Sequence, residues 1–521
     1  MRAAPADAEA HTGGAAERRV DEAEPRAPRP MAVHYAASLL VLALGAFFKA
    51  RDEASDTGEA HTFSVLCGLI LGYVALELLL VRRRHERWLI NPAVQCGIFV
   101  HLLPTGSALL QPLLPGDVWG GALDLYGDPW AVRYEWLNLV AAVALWTGYW
   151  SGGAAMLARA LGRSALLGRW LRPGLSLRVS VALLLAILAS GSRLLAIRLG
   201  LYGYAASVEM RELAEAYSQY LAIAGELGKV MLVAVSLAVF RGTASRWPLL
   251  VLLATETVFG ILSGFKSAVI LPALIVGVCA YAVRGRVPLL IAPTLALGLF
   301  GAYAIIQPFR AARYRELDFD GTSVRSIVET FEASRDPVYD PNDPDGPVVS
   351  TTASLFGRLS DVGPAARGIE FAARWQVLPE GSPNFMVDIF LSPLYSFVPR
   401  ALWPSKPVND VGLWYTQVVM GEATTSSTAM YPVTFLNFAG GLVAVVLGFF
   451  AVGAIQAALF HGFAAHGGAA LFVVVCLLGS IGTIDSVFYA FFISLLRSLP
   501  LLLLLQWLLF RSEVASDAAP S

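Results

Sequence analysis

The chain has 521 residues, of which 56% are hydrophobic and only 15% charged, and its mean hydropathy is +0.61. A water-soluble surface cannot be built from that mixture, so a bilayer is the implied solvent. The formal net charge of -1 excludes attraction to nucleic acid or another polyanion through bulk charge, and leaves the distribution of charge as the informative quantity.

Residues 1–30 are rich in Ala, Glu, Arg and Pro, lack the apolar stretch of a secretory signal, and read as a disordered cytoplasmic tail. Beyond them, about twelve segments have the length and apolarity of a membrane-spanning helix. They are Met31 to Phe48, Phe63 to Val81, Pro92 to Leu110, Glu135 to Met156, Val179 to Ile197, Leu221 to Phe240 and Trp247 to Leu262. Val269 to Val283, Pro288 to Ile306, Pro432 to Phe460, Ala469 to Ile484 and Val487 to Phe510 complete the series. An all-α polytopic membrane protein follows.

Charge in the connections sets the expected orientation, because Lys and Arg beside helix ends stay in the cytoplasm. Arg82, Arg83, Arg84 and Arg87 follow the second segment, and Arg159, Arg163, Arg169, Arg172 and Arg178 follow the fourth without one acid. Arg241 and Arg246 follow the sixth; Arg284 and Arg286 follow the eighth. The odd-numbered connections instead carry Asp52, Glu53, Asp56 and Glu59, then Asp117, Asp124 and Asp128, then Glu209, Glu212 and Glu215. Both termini are therefore expected in the cytoplasm. Residues 31–306 form nine helices, 307–431 one long external loop, 432–510 three more helices and 511–521 a second cytoplasmic tail.

That loop is longer than a linker needs. Thr322 to Arg335 and Ser354 to Trp375 show helical spacing, so short helices are expected inside it; Asp336 to Pro347, with its Asp-Pro repeats, reads as successive turns. The oxygen-bearing residues of that tract do not fall at EF-hand offsets. Cys67, Cys96, Cys279 and Cys476 each lie in an apolar run without CxxC spacing, and the loop contains no histidine. No metal site and no other cofactor is expected.

Ionisable side chains at membrane depth are functional candidates by default. Arg193, Glu256, Lys266, Asp485 and Arg497 qualify, with a simple Glu256 ion pair to Arg or Lys as the alternative. Lys266 lies at an external turn beside a helix start, a position suited to an anion. Cations also cluster at both ends of the loop: Arg310, Arg313 and Arg315 at its start, Arg400 and Lys406 near its end, with Arg358, Arg367 and Arg374 between. Arginines stranded outside run against the positive-inside bias and call for an external anion, of which a lipid-linked diphosphate is one and ordinary anionic headgroups another. The aromatic, proline-broken stretch Phe390 to Pro407 reads as an interfacial or re-entrant element that delivers Arg400 and Lys406.

Three strings then invite comparison: Ser263-Gly264-Phe265-Lys266-Ser267 with Pro272, Pro399-Arg400-Ala401-Leu402-Trp403-Pro404-Ser405-Lys406-Pro407, and Tyr431-Pro432-Val433-Thr434-Phe435-Leu436-Asn437-Phe438-Ala439-Gly440-Gly441. In that order the chain, from about its fifth helix onward, resembles bacterial oligosaccharide repeat-unit polymerases, the O-antigen polymerases of the Wzy type. The resemblance implies a GT-C-like, metal-independent glycosyltransferase on the outer face of the bacterial inner membrane. Its substrate would be an undecaprenyl-diphosphate-linked oligosaccharide destined for O-antigen, capsule or exopolysaccharide, with membrane lipids, a flippase and a chain-length regulator as partners and no nucleic acid. The Asp-Pro tract and the long polar N-terminus depart from the family pattern.

In such a reaction cationic groups must neutralise the departing diphosphate, for which Arg310, Arg400 and Lys406 are first choices, with Arg313, Arg358, Lys266 and Arg193 as further substrate-binding candidates. Asp361, Glu370 and Asp388 are the eligible general bases. Trp375, Trp403 and Trp414 could stack on sugar faces or anchor the interface. An O-antigen ligase-like transferase, or a flippase or other transporter of lipid-linked oligosaccharide, is the alternative. Transporters usually carry internal repeats and midplane sites, and no repeat is visible here.

Overall fold

A computed structural model describes residues 31–53, 59–110, 125–203, 215–286, 297–298, 301, 306, 324–325, 328–329, 362–375, 377–398, 402–403, 411–422, 429–482 and 488–511. Arg310, Arg313, Arg358, Asp361, Arg400, Lys406 and Asp485 lie outside the described residues, as do both tails, the Asp-Pro tract and nearly all of Pro288 to Ile306. What is described is helical, with no strand among the described residues.

Among the described residues, seven helices are long and apolar enough to cross a membrane: Ala32–Arg51, Glu59–Arg84, Val179–Arg198, Tyr220–Phe240, Lys266–Arg284, Pro432–Ala464 and Tyr489–Leu509. Large apolar side chains point outward along them, among them Leu39 (71% exposed), Leu184 and Leu447. Patches of that size need hydrocarbon around them. The protein is therefore embedded in a membrane.

We number the helices α1 (Ala32–Glu53), α2 (Glu59–Arg84), α3 (Pro92–Cys96), α4 (Leu103–Leu109), α5 (Pro129–Tyr149), α6 (Gly152–Gly162), α7 (Ala165–Trp170), α8 (Val179–Arg198) and α9 (Glu215–Phe240). They continue with α10 (Arg246–Leu262), α11 (Lys266–Arg284), α12 (Val362–Arg374), α13 (Phe385–Tyr395), α14 (Val411–Trp414), α15 (Pro432–Ala464), α16 (Ala470–Ile481) and α17 (Tyr489–Leu509).

Several expected spans differ from uninterrupted helices, each for a local reason. Pro92 to Leu110 becomes α3, a π-helical stretch Gly97–Leu102 and α4, preceded by a 3-10 turn at Trp88–Ile90. Pro104 lacks the N–H that would close the ladder, and the backbone before it widens. Glu135 to Met156 starts earlier, at Pro129, and breaks at Trp150 and Ser151, where extended Ser151 caps α6 through the Ala154 amide at 3.1 Å. Helices α10 and α16, of 17 and 12 residues, fall short of the spanning length. In α15 the helix is interrupted at Gly441, whose φ of +62° is open to glycine.

Helix α5 is the hub. It packs against α1, α2, α12 and α15 and buries Trp146, Tyr149, Glu135 and Asn138. Because protein rather than lipid surrounds it, it tolerates polar residues that hold its hydropathy below the lipid-facing spans. Gly148 of α5 lies against the Phe450 carbonyl of α15, and Gly453 of α15 against the Leu145 carbonyl of α5, so the backbones touch where a Cβ could not fit. A second group, α8 to α11, packs around α9, and α16 and α17 join it to the first.

The arginine-rich turns gather at one end of the bundle. Arg84 lies over the Trp150 ring at 5.3 Å and Arg284 over Phe240 at 4.9 Å. Tyr281 donates to the Glu86 carbonyl, and Arg511 pairs through its backbone with Ser176. Four connections that the charge pattern assigns to one face are thus held on one face.

Buried polar groups tie the hub together. His34 Nδ1 donates to Glu77 Oε1 at 2.7 Å and Trp150 Nε1 to Glu77 Oε2 at 2.8 Å, joining α1 and α2 to the end of α5. Further along α5, Asn138 donates to Glu135 and Thr105 and accepts from His101 Nδ1 at 2.6 Å. Trp150→Phe keeps the ring and removes the donor, leaving a buried carboxylate oxygen short of a partner. A loss of about 1–3 kcal/mol is expected, read as an earlier midpoint in thermal unfolding of the detergent-solubilised protein.

Candidate functional site

The loop helices α12 and α13 sit at the opposite end of the bundle from the arginine-rich turns. Helix α12 is amphipathic: Val362, Ala365, Ala366 and Ile369 face the protein, and Arg367 and Arg374 face away. It lies on α5 and α15. Gly368 allows this, since a Cβ there would overlap Thr434 and the Tyr415 hydroxyl. The same hydroxyl donates to the Pro364 carbonyl, and Thr434 Oγ1 donates to Ala365 at 3.4 Å.

Asp128 caps the adjoining end of α5, accepting from the Trp130 amide at 3.0 Å. Burial raises its carboxyl above the usual range, with the Trp130 amide opposing; the charge of Glu370 raises it further, and that of Arg367 opposes. Asp128, Glu370 and Arg367 therefore share one electrostatic neighbourhood. Arg374 closes it with an ion pair to Glu370 at 2.6 Å. Phe371 stacks on Trp375 at 5.6 Å, and Trp375 is 51% exposed, a flat apolar face beside paired charges.

Helix α13 starts at Asn384, whose side chain accepts from the Val387 amide at 3.2 Å. Phe385 anchors it among Trp414, Phe435 and Phe438, at 5.4, 5.2 and 5.0 Å. The anchor leaves Asp388 in the packed face, 9% exposed. Alongside runs an open cleft of about 340 Å³ bordered by Pro379, Ser382, Asn384, Met386 and Phe438. Trp403 meets Tyr395 edge-on at 5.3 Å. The re-entrant stretch expected from Phe390 thus begins as the second half of an anchored helix.

Of the residues picked from the sequence, Glu370 and Asp388 are brought to this platform by neighbouring elements that both pack on α15, and Trp403 sits beside the end of α13. Lys266 is placed elsewhere, half-buried at the first position of α11 after the turn at Gly264. Arg193 is placed within the α8–α10 contact. Its guanidinium makes a fork to both Glu256 oxygens, at 2.6 and 2.9 Å, over the Phe259 ring at 5.2 Å. The alternative of a helix-joining ion pair is the arrangement seen. Both charges are under 8% exposed, and the fork engages one N–H on each terminal nitrogen of Arg193.

Sequence reasoning passed over Asp128, Glu77 and Glu135. Asp128 carried a signal, an Asp-Pro pair at a helix start. Glu77 did too, as a lone carboxylate inside an apolar run.

No curated protein matches this chain, and no solved structure matches it. Residues 188–504 match a family model described as a domain of unknown function (DUF8712), from within α8 to within α17. The match takes in α12, α13 and the Arg193–Glu256 pair and leaves out Asp128, Glu77 and Glu135. Since it covers more than half of the sequence, the chain belongs to the DUF8712 family.

Proposed function

We propose that the protein is a membrane polymerase of undecaprenyl-diphosphate-linked oligosaccharide repeat units, working on the outer face of the bacterial inner membrane. In this reading the chain has about twelve spans in a GT-C-like arrangement, both termini are cytoplasmic, and the α12–α13 end faces the periplasm. The observation that carries it is the collection of carboxylates, guanidinium groups and an exposed tryptophan by loop helices at one end of an apolar bundle. Sugar binding uses that combination, aromatic faces for the pyranose and charged pairs for its hydroxyls.

The chemistry is a glycosyl transfer. An acceptor hydroxyl oxygen bonds to the anomeric carbon, its proton passes to a carboxylate, and the bond to diphosphate breaks with its electron pair leaving on the diphosphate. Glu370 is the carboxylate the geometry favours, partly exposed and beside Asp128; Asp361 and Asp388 are the other choices. Arg310, Arg400 and Lys406, helped by Arg313 and Arg358, would neutralise the leaving group.

Purified protein in detergent, given lipid-linked repeat units, is expected to lengthen them with no sealed membrane. Arg400→Ala should slow extension by about 10²–10³-fold, the usual loss on removing one charge-stabilising donor. A wild-type protein that moves the lipid only across a sealed bilayer, without lengthening it, would establish the transporter instead. One that joins glycan to a non-lipid-linked acceptor would establish the ligase-like transferase.

A further inference from the structure

The opposite end of the molecule carries a second feature, unrelated to sugar transfer. Between α5 and α8 the chain makes two short steps, α6 and α7. Residues 151–178 hold five arginines, Arg159, Arg163, Arg169, Arg172 and Arg178, and no Asp or Glu.

The segment is built in. Helix α6 buries Ala154, Ala155 and Ala158 against α15, where Gly462 lies against Leu161. The backbone after α7 is pinned at both of its sides. Buried Gln506 of α17 donates to the Trp170 carbonyl at 2.6 Å and accepts from the Arg172 amide at 3.0 Å. The Ala469 amide donates to the Arg172 carbonyl at 3.0 Å, and Arg178 donates to the Leu509 carbonyl at 2.7 Å. Arg172 is further held over the Trp507 ring at 5.1 Å.

What this frame displays outward is mixed in one particular way. Met156, Leu157, Leu166 and Trp170 are exposed, at 61, 46, 67 and 50%, and Arg159, Arg163 and Arg169 are exposed between them. Water would not tolerate such an apolar face, and hydrocarbon alone would not tolerate three guanidinium groups. The boundary between acyl chains and headgroups satisfies both: tryptophan and the aliphatic side chains lie level with the glycerol backbone, and the arginines reach phosphate.

We propose that the α6–α7 step is a preformed binding site for anionic phospholipid, with Arg159, Arg163 and Arg169 gripping the headgroup phosphate and Met156, Leu166 and Trp170 lying along the acyl chains. A zwitterionic headgroup offers the same phosphate but cancels its charge, so the site discriminates by net charge. The Gln506 and Gly462 contacts fix the backbone that carries these arginines, so binding has only their side chains left to order.

The test is retention of lipid by the detergent-purified full chain in native mass spectrometry, after titration with equal amounts of phosphatidylglycerol and phosphatidylcholine. Wild type is expected to retain phosphatidylglycerol at least about tenfold more, as follows when several arginines each favour an anionic surface severalfold. Arg159→Gln combined with Arg163→Gln and Arg169→Gln should bring the two lipids to parity, while lysine at the same three positions should keep most of the preference. Raising the salt during titration should weaken retention of phosphatidylglycerol by wild type, and free glycerol phosphate should not compete. Equal retention of the two lipids by wild type, a preference that survives the glutamine substitutions, or one indifferent to salt would overturn the proposal. The salt series on wild type stands even if the glutamine variant does not fold.

Discussion

Glu256→Ala is expected to cost about 3–5 kcal/mol, because it leaves the Arg193 guanidinium in a buried site with both of its Glu256 hydrogen bonds gone. The pair joins α8 to α10 in a protein-lined pocket, and α9 closes over it. Gly228 lies so close to Glu256 Oε1 that a Cβ would overlap it, and Gly225 approaches the aliphatic part of Arg193. With the two side chains only 7% and 4% exposed, the arginine left behind has little access to water. The measurement is a double-mutant cycle. Arg193→Met alone should be nearly as harmful, since it leaves the carboxylate buried, whereas Arg193→Met with Glu256→Leu should recover most of the loss. A double variant no better than the worse single one would show that the pair does more than neutralise itself.

Gly453→Val should be the most damaging single packing change. Overpacking a tight core ordinarily costs about 1–3 kcal/mol, but there the intruding atoms meet side chains that can rotate. Here the obstacle is the Leu145 carbonyl and the Tyr149 amide, parts of a helical ladder that cannot give way locally. Helices α5 and α15 would have to separate along their contact. That movement would also pull Tyr149 from His461, a hydrogen bond of 3.0 Å at the arginine-rich end, and loosen the seat of α12 at the other. Loss of a monodisperse elution profile is the expected readout. Gly453→Ala should be milder but still destabilising, and an unaffected alanine variant would mean that the backbones are farther apart than described.

Both variants bear on the proposed function in different ways. The Arg193–Glu256 pair sits away from the α12–α13 platform, so a Glu256 and Arg193 double replacement that restores stability should also restore glycan extension. The α5–α15 contact carries the platform directly, and weakening it should lower extension even where the protein still folds.

Hydropathy over windows of about 20 residues located the lipid-facing helices because lipid makes the same demand of every residue that touches it. Charge in the turns located one end of the bundle, since arginines beside helix ends stay on one side whatever the helices do between. Those two signals are local and additive, and Ala32–Arg51, Glu59–Arg84 and Val179–Arg198 follow them closely. Glu370 and Asp388 were legible as eligible carboxylates because a polar loop displays few of them on helical stretches.

The rest depended on neighbours. That Arg193 reaches Glu256, 63 positions away in the chain, was decided by α8 and α10 both packing on α9. Glu77 found His34 and Trp150 on two other helices, and no periodicity within one segment encodes such a partner. Asp128 became part of the platform only when α12 folded back onto the end of α5. Hydropathy and turn charge were enough to make the chain helical, membrane-embedded and cationic at one end. Tertiary structure alone decided which buried charges neutralise each other and which remain at a surface, because the energy of a charge in a low-dielectric interior is set by what lies within a few ångströms of it.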